Sequence, residues 1–345
     1  MIPIQNIYYM LSYAFQVLNE QGYKNIATEQ FHNTGELMAA ILEKGIAIQI
    51  KRGLGKEYIL QTEALSSLQG KIDIAESIKT QSMLRKQLIC TYDEFSVNSI
   101  MNRIIKSTVE LLLRSNISKQ RKKNLRKLMV YFSEVDFIDL YTVNWNVQYN
   151  RNNQTYRMLI SICYLVVKGL LQTQSNGHTK LMDFLDEQRM CRLYEKFILE
   201  YYRREFKNQI TTNASQIPWQ LDNEENSMLP VMQSDIMLQS GEKVLIIDAK
   251  YYEHSTQVQF DKHTLHSGNL YQIFTYVKNK EYELREKDHT VSGMLLYAKT
   301  DEEIYPNNVY QMSGNQITVR TLDLNLPFDE IAGQLNTIAK THFDL

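Results

Sequence analysis

Cysteines, long apolar runs and an excess of either charge are scarce in this sequence, and each shortage excludes something. Three cysteines (Cys90, Cys163, Cys191) are scattered over 345 residues without a C-x-x-C pair, which argues against a disulfide scaffold or a zinc site. His263 and His266 lie three apart with no cysteine partners and read as polar loop residues. The N-terminus has no basic segment leading into an apolar core and cleavage site, so no signal peptide is expected. The longest apolar stretch, Met158 to Leu171, is broken by Lys168 and is too short to span a bilayer. The expectation is a cytoplasmic protein with no membrane association. Basic and acidic residues nearly cancel, 38 against 39. Such a balance excludes a broad basic field that grips nucleic acid unaided, while leaving room for a local patch. There are no internal repeats.

What is present suits two domains: the length exceeds one ordinary core, and 43% of residues are hydrophobic, 22 of the polar-tipped aromatics being tyrosine. Asn6 to about Asn19 has the spacing of an amphipathic helix, with Ile7, Met10, Leu11, Ala14 and Leu18 on one face. Thr34-Gly35-Glu36 starts a second helix to about Gly45. From Ile46 to about Ile78 the pattern turns β-like: Ile46, Ile48 and Ile50 alternate, and Gly53, Gly55 and Gly70 punctuate short runs. Asn98 to Arg114 and Met158 to Leu171 read as helices, with a polar loop from Asn144 to Tyr156 ahead of the latter. Lys119 to Lys127 is the most basic run, suited to a phosphate backbone, an acidic protein surface, or simply a solvated helix face. The polar stretch Gln172 to Gly177 is the best boundary, giving domains 1–175 and 176–345.

The chemistry concentrates in Val231 to Tyr252. Val244-Leu245-Ile246-Ile247 is a buried-strand run that ends on Asp248-Ala249-Lys250. A carboxylate there is costly unless a cation compensates it. On a strand Asp248 and Lys250 leave the same face. Val231 to Gln239 reads as the preceding strand, and a two-residue Gly241-Glu242 loop pairs Ser240 with Lys243 and sets Asp235 opposite Asp248. Opposed side chains lie about 4.5–5.5 Å apart at Cβ, close enough to share a Mg²⁺ ion. A three-residue loop would put the acids on opposite faces, and solvated edge acids are the bland alternative. Glu195 lies in a helical stretch upstream, where it is either a third acid or an exposed partner of a lysine. Gln272 and Tyr276 share a helix face downstream, with core packing the alternative for Tyr276.

Two acids and a lysine around one metal suit phosphodiester hydrolysis. The order Glu195, Asp235, Asp248-Ala249-Lys250, then Gln272-x-x-x-Tyr276 resembles the PD-(D/E)xK nuclease core, an αβββαβ arrangement. Six blocks in order resemble McrC, the nuclease subunit of McrBC-type restriction systems: Ile2 to Ala14, Leu68 to Asp73, Asn102 to Thr108, Leu193 to Phe197, Ile247 to Tyr252, and Asn269 to Gln272. The resemblance implies an α+β chain. A helical N-terminal domain with a small β-rich part, about 46–78, would enter the pore of an McrB-like AAA+ GTPase hexamer and stimulate it. The C-terminal nuclease domain would have a mixed sheet flanked by helices. It further implies that Asp235, Asp248 and the Ala249 carbonyl hold Mg²⁺, and that Lys250 and Glu195 assist. Gln272 and Tyr276 would support the site and contact DNA. GTP would be bound by the partner and not by this chain. Nuclease domains would pair to break both strands of double-stranded DNA. A regulatory subunit without catalysis and a stand-alone nuclease are the competing readings.

Overall fold

The structure is a computed structural model; it describes residues 2–345 apart from 20–22, 24–25, 27–28, 30, 32, 151–152, 154, 175–186, 223–227, 253–256, 260–261 and 300–304. The chain forms two compact units, one of Met1–Ala27 with Asp183–Leu345, the other of Thr28–Met182. Of the polar stretch expected to mark the boundary, Gln172 to Gln174 fall in a helix and 175–177 lie outside the described residues. Helix α1 (Ile4–Ala14) belongs to the first unit.

In the second unit, α2 (Thr34–Arg52) starts at Asn33, whose side chain caps the Glu36 N–H at 2.8 Å. It runs seven residues beyond the expected end. The alternating isoleucines are not a strand: Leu42, Ile46 and Gln49 are buried at helical spacing, and Gly53, at φ 94°, is the stop. A helix already nucleated adds residues readily until a breaker intervenes. The β-rich part is therefore later than 46–78. It is a three-stranded antiparallel sheet of β1 (Glu57–Leu65), β2 (Lys71–Asp73) and β3 (Leu88–Ser96), with β3 central. The short helix α3 (Ile74–Lys79) lies between β2 and β3. Then follow α4 (Ile100–Arg114), α5 (Lys119–Met129) and α6 (Tyr156–Gln174). Asn102, fully buried, ties the module to the helices. It donates to the Gly55 and Val97 carbonyls at 2.9 and 2.8 Å and accepts from the Tyr156 hydroxyl at 2.7 Å.

The first unit continues with α7 (Glu187–Glu205), β4 (Thr211–Asn213), β5 (Gln216–Ile217), β6 (Met232–Gln233), β7 (Ile236–Ser240) and β8 (Lys243–Lys250). After the ribbon β9 (Gln257–Gln259) and β10 (Lys262–Thr264) come α8 (Ser267–Glu283), β11 (Thr290–Ala298), β12 (Asn308–Met312), β13 (Asn315–Leu322) and α9 (Phe328–Phe343). Six strands form a mixed sheet in the order β12-β13-β11-β8-β7-β4, with β8, β11 and β13 mutually parallel. Burial on both faces of β8 and β11 accounts for their unbroken apolar runs. The single strand expected over Val231 to Gln239 is broken. At Ser234 the backbone N–H bonds to the Ser215 carbonyl at 3.0 Å, so β6 pairs with β5 and only β7 pairs with β8.

Helix α1 sits with the C-terminal residues, against the expected 1–175 grouping, because its contacts are there. Asn6 donates to the Leu324 and Leu326 carbonyls, both at 2.8 Å. Tyr9 stacks on Phe328 at 4.4 Å, and Tyr13 meets Tyr201 of α7 at 5.3 Å. Among the described residues no helix is long and apolar enough to cross a membrane.

Candidate active site

The hairpin register is the one that a two-residue loop gives. Ser240 pairs with Lys243 and Ile236 with Ile247, and Gly241 supplies the positive φ, 57°, at the first loop position. Asp235 precedes Ile236, so the same register carries it opposite Asp248. Its Oδ2 accepts the Ala249 N–H at 3.0 Å, locking the residue before β7 onto the end of β8.

Val244, Ile246, Asp248 and Lys250 share one face of β8. Val244 and Ile246 belong to the core that includes Ile273, Tyr276 and Val277 of α8, and Asp248 is 1% exposed. Its Oδ2 is sealed from solvent and lies 2.8 Å from Lys250 Nζ, without an aligned hydrogen bond from any described residue. Lys250 also donates to Gln272 Oε1 at 3.3 Å, and Gln272 Nε2 donates to the Tyr276 hydroxyl at 2.9 Å. The Tyr276 ring packs in the core, and its hydroxyl accepts from the amide that receives the lysine.

Glu195 is on α7, with its Oε1 accepting from Cys191 Sγ at 3.0 Å. Burial and the Glu195 carboxylate push the Cys191 thiol up to about 12, so it remains a protonated donor. Glu195 itself is raised, first by burial and further by Asp248, with Lys250 acting against that. The expected site residues Asp235, Asp248, Lys250, Gln272 and Tyr276 are thus joined by direct contacts, and Glu195 shares their field.

Electrostatics bear on Asp235 and Lys250 in particular. Burial raises the Asp235 carboxyl, and the Asp248 and Glu195 charges raise it further. For Lys250, burial opposes the charged form, but Asp248 outweighs it and with Asp235 holds the ammonium above its ordinary value. Three acids therefore face one lysine in a low-dielectric pocket, a set that lacks positive charge. Lys250 already pairs with Asp248 Oδ2, so a divalent cation would fit the charge still lacking. Among the described residues no three His, Cys, Asp or Glu side chains close into a metal cluster. Two carboxylates with open positions suit Mg²⁺, which keeps several waters.

Sequence reasoning missed a second ring of support. Tyr297 of β11, fully buried, pairs in register with Lys250, and its hydroxyl accepts from Asn269 Nδ2 at 2.9 Å. Tyr252 reaches the Asn269 oxygen at 3.3 Å. The signal in the sequence is a polar-tipped aromatic inside the apolar run of β11, and for Cys191 its place one helical turn before Glu195.

Residues 5–298 match the family described as McrBC 5-methylcytosine restriction system component. The chain belongs to that family. It is similar to the type IV methyl-directed restriction enzyme EcoKMcrBC of Escherichia coli strain K12, at 30% identity over 94% of this chain and 93% of that protein. Its fold is similar to a solved half-complex of Thermococcus gammatolerans McrB AAA+ hexamers with bound McrC. That match has a TM-score of 0.50 and 18% identity, covering 97% of this chain and 76% of the other. Family membership makes this chain a restriction-system component, and the acid-lysine cluster lies within the matched span.

Proposed function

We propose that this chain is the McrC-like subunit of a GTP-dependent, modification-dependent restriction complex, a Mg²⁺-dependent endonuclease with a PD-(D/E)xK core in residues 176–345. It binds an McrB-like AAA+ GTPase hexamer, stimulates GTP hydrolysis there, and cuts double-stranded DNA. The observation that carries the reading is the buried Asp235–Asp248 opposition with Lys250 held between Asp248 and Gln272. A scaffold gains nothing from sealing opposed carboxylates at a strand end, where each costs desolvation energy.

Asp235 and Asp248, with the Ala249 carbonyl, would hold the ion; when bound, it supplies a polarised phosphate and a water of lowered pKa. Lys250 remains an ammonium, so it acts by donation. It orients the attacking water or neutralises charge growing on the phosphoryl oxygens as the P–O bond to the leaving sugar breaks. Gln272 and Tyr276 fix the ammonium's position, and α8 carries them against the DNA strand. Glu195 is the auxiliary acid. Partner binding is assigned to the unit 28–182. Its small sheet exposes Tyr58 (74%), Leu60 (68%) and Phe95 (55%), and Leu84 beyond it (81%). Exposed apolar clusters of this kind mark protein contacts.

The test is plasmid cleavage in Mg²⁺ by this chain alone, with its AAA+ partner and GTP, and as Asp248→Ala, the GTPase rate being read in the same tubes. Partner- and GTP-dependent cleavage that Asp248→Ala removes, with GTPase stimulation intact, is the expected result. Stimulated GTPase without cleavage of any substrate, methylated or not, would make the chain a regulatory scaffold. Cleavage without the partner would make it a stand-alone nuclease.

A further inference from the structure

The basic run lies in a different unit from the catalytic cluster. Helix α5 carries six basic residues in Lys119 to Lys127 and no acid. They divide sharply between its two faces. Arg121 turns inward, where Glu29, Glu36 and Glu43 all pair with it, the last at 2.8 Å. Leu125, 0% exposed, lies one turn on, and Asn124 donates to Glu43 at 2.9 Å. These inward groups hold the helix in its unit and neutralise the single inward cation.

Lys119, Lys122, Lys123, Arg126 and Lys127 recur at helical spacing on the opposite arc. None of the five has an ion pair, a side-chain hydrogen bond or a ring contact with any described residue. The chain as a whole has a net charge of −1, so these five cations, without partners among the described residues, form a local excess. On α4, by contrast, Glu110 pairs with Arg114 one turn on. Between Lys119 and Lys127 the outward face shows no large apolar side chain. Protein interfaces need an apolar centre and are depleted in lysine, whereas phosphate recognition uses lysine, arginine and amides.

We infer that the outward face of α5 is a sequence-independent docking surface for the phosphate backbone of duplex DNA. The inference rests on DNA being the substrate, and adds a second contact to DNA, on a different unit from the catalytic cluster. Over the roughly 12 Å from Lys119 to Lys127, at 1.5 Å per residue, B-DNA carries about one negative charge per 1.7 Å. A chain of balanced overall charge would thus hold DNA through one local stripe.

The experiment measures binding of the full chain to a fluorescently labelled, unmethylated duplex in EDTA across a salt series. It is repeated on the assembled complex with a non-hydrolysable GTP analogue. A quadruple variant, Lys119→Gln, Lys123→Gln, Arg126→Gln and Lys127→Gln, is compared with a charge-preserving one, Lys119→Arg, Lys123→Arg, Arg126→Lys and Lys127→Arg. The neutral variant is expected to flatten the slope of log K against log salt by roughly 3–4, at about 0.9 per phosphate contact, and the charge-preserving variant to keep the wild-type slope. Unchanged slope in a folded neutral variant, or no wild-type affinity at low salt, overturns the inference. Loss of partner GTPase stimulation with an unchanged slope also overturns it, and makes α5 a protein-docking face. Cleavage that still depends on Asp248 would leave the nuclease reading standing in each of those cases.

Discussion

At Asp235 the fold keeps a carboxylate where it is least comfortable. Burial, Asp248 and Glu195 all raise its pKa, and Lys250 opposes them. The native state therefore holds a proton that the unfolded state releases near pH 3.9, and native stability declines as pH rises above that value. Replacing Asp235 with Asn removes the charge while keeping an oxygen for the Ala249 N–H. In EDTA, Asp235→Asn should melt higher than wild type at neutral pH, by roughly 2–4 °C per kcal/mol regained, with the gap closing near pH 4. Calorimetry across pH checks this, and equal melting temperatures at pH 7 would refute it. Gln272 works on the neighbouring charge by fixing Lys250. Gln272→Ala should lower single-turnover cleavage about tenfold, roughly 1.4 kcal/mol, without changing partner GTPase stimulation.

Between elements, the contact that sets the site is α8 against β11. A Cβ on Gly293 would lie 2.8 Å from Ile273 Cγ1 and 2.9 Å from both Val277 Cγ2 and Ile317 Cδ1. The missing side chain lets α8 approach closely enough for Gln272, beside Ile273, to meet Lys250. Gly293→Val should destabilise the chain by about 1–3 kcal/mol through overpacking, read as a lower denaturation midpoint. It should also lower cleavage more than the stability loss explains, since Gln272 moves with α8. A wild-type midpoint for Gly293→Val would show that the helix position is not set there. The helices themselves were legible from apolar spacing: α4, α6, α7 and α8 fall where their patterns put them. The misreading at the end of α2 is a place where a short apolar run fits either period, and the central strand β3 had no expectation at all. Packing decided them: Ile46 faces its unit's core as part of a helix, and β3 gains β1 and β2 as neighbours.

For the whole molecule, on the proposed nuclease reading, one acid-lysine cluster per chain would cut one strand per event, so a double-strand break would call for two nuclease units. Two copies of this chain per cleaving particle are expected. Analytical ultracentrifugation of the assembled, DNA-bound complex that finds only one copy would count against pairing. The two-unit division was only partly visible in the sequence. Helix α1 reads as the start of an N-terminal domain, yet Asn6 spends its amide on the Leu324 and Leu326 carbonyls, more than three hundred positions away. What the sequence determined by itself was local: apolar periodicity gave the helices, and a glycine-led two-residue loop gave the register that sets Asp235 against Asp248. Steric preference and strand geometry act over a few residues, so a few residues suffice to read them. Only the tertiary structure decided that Cys191 donates to Glu195, that Tyr297 and Asn269 back the lysine strand, and that five of the basic run's six charges have no partner among the described residues. Those depend on which distant groups share a low-dielectric space, and a pairing across the fold leaves no spacing along the chain.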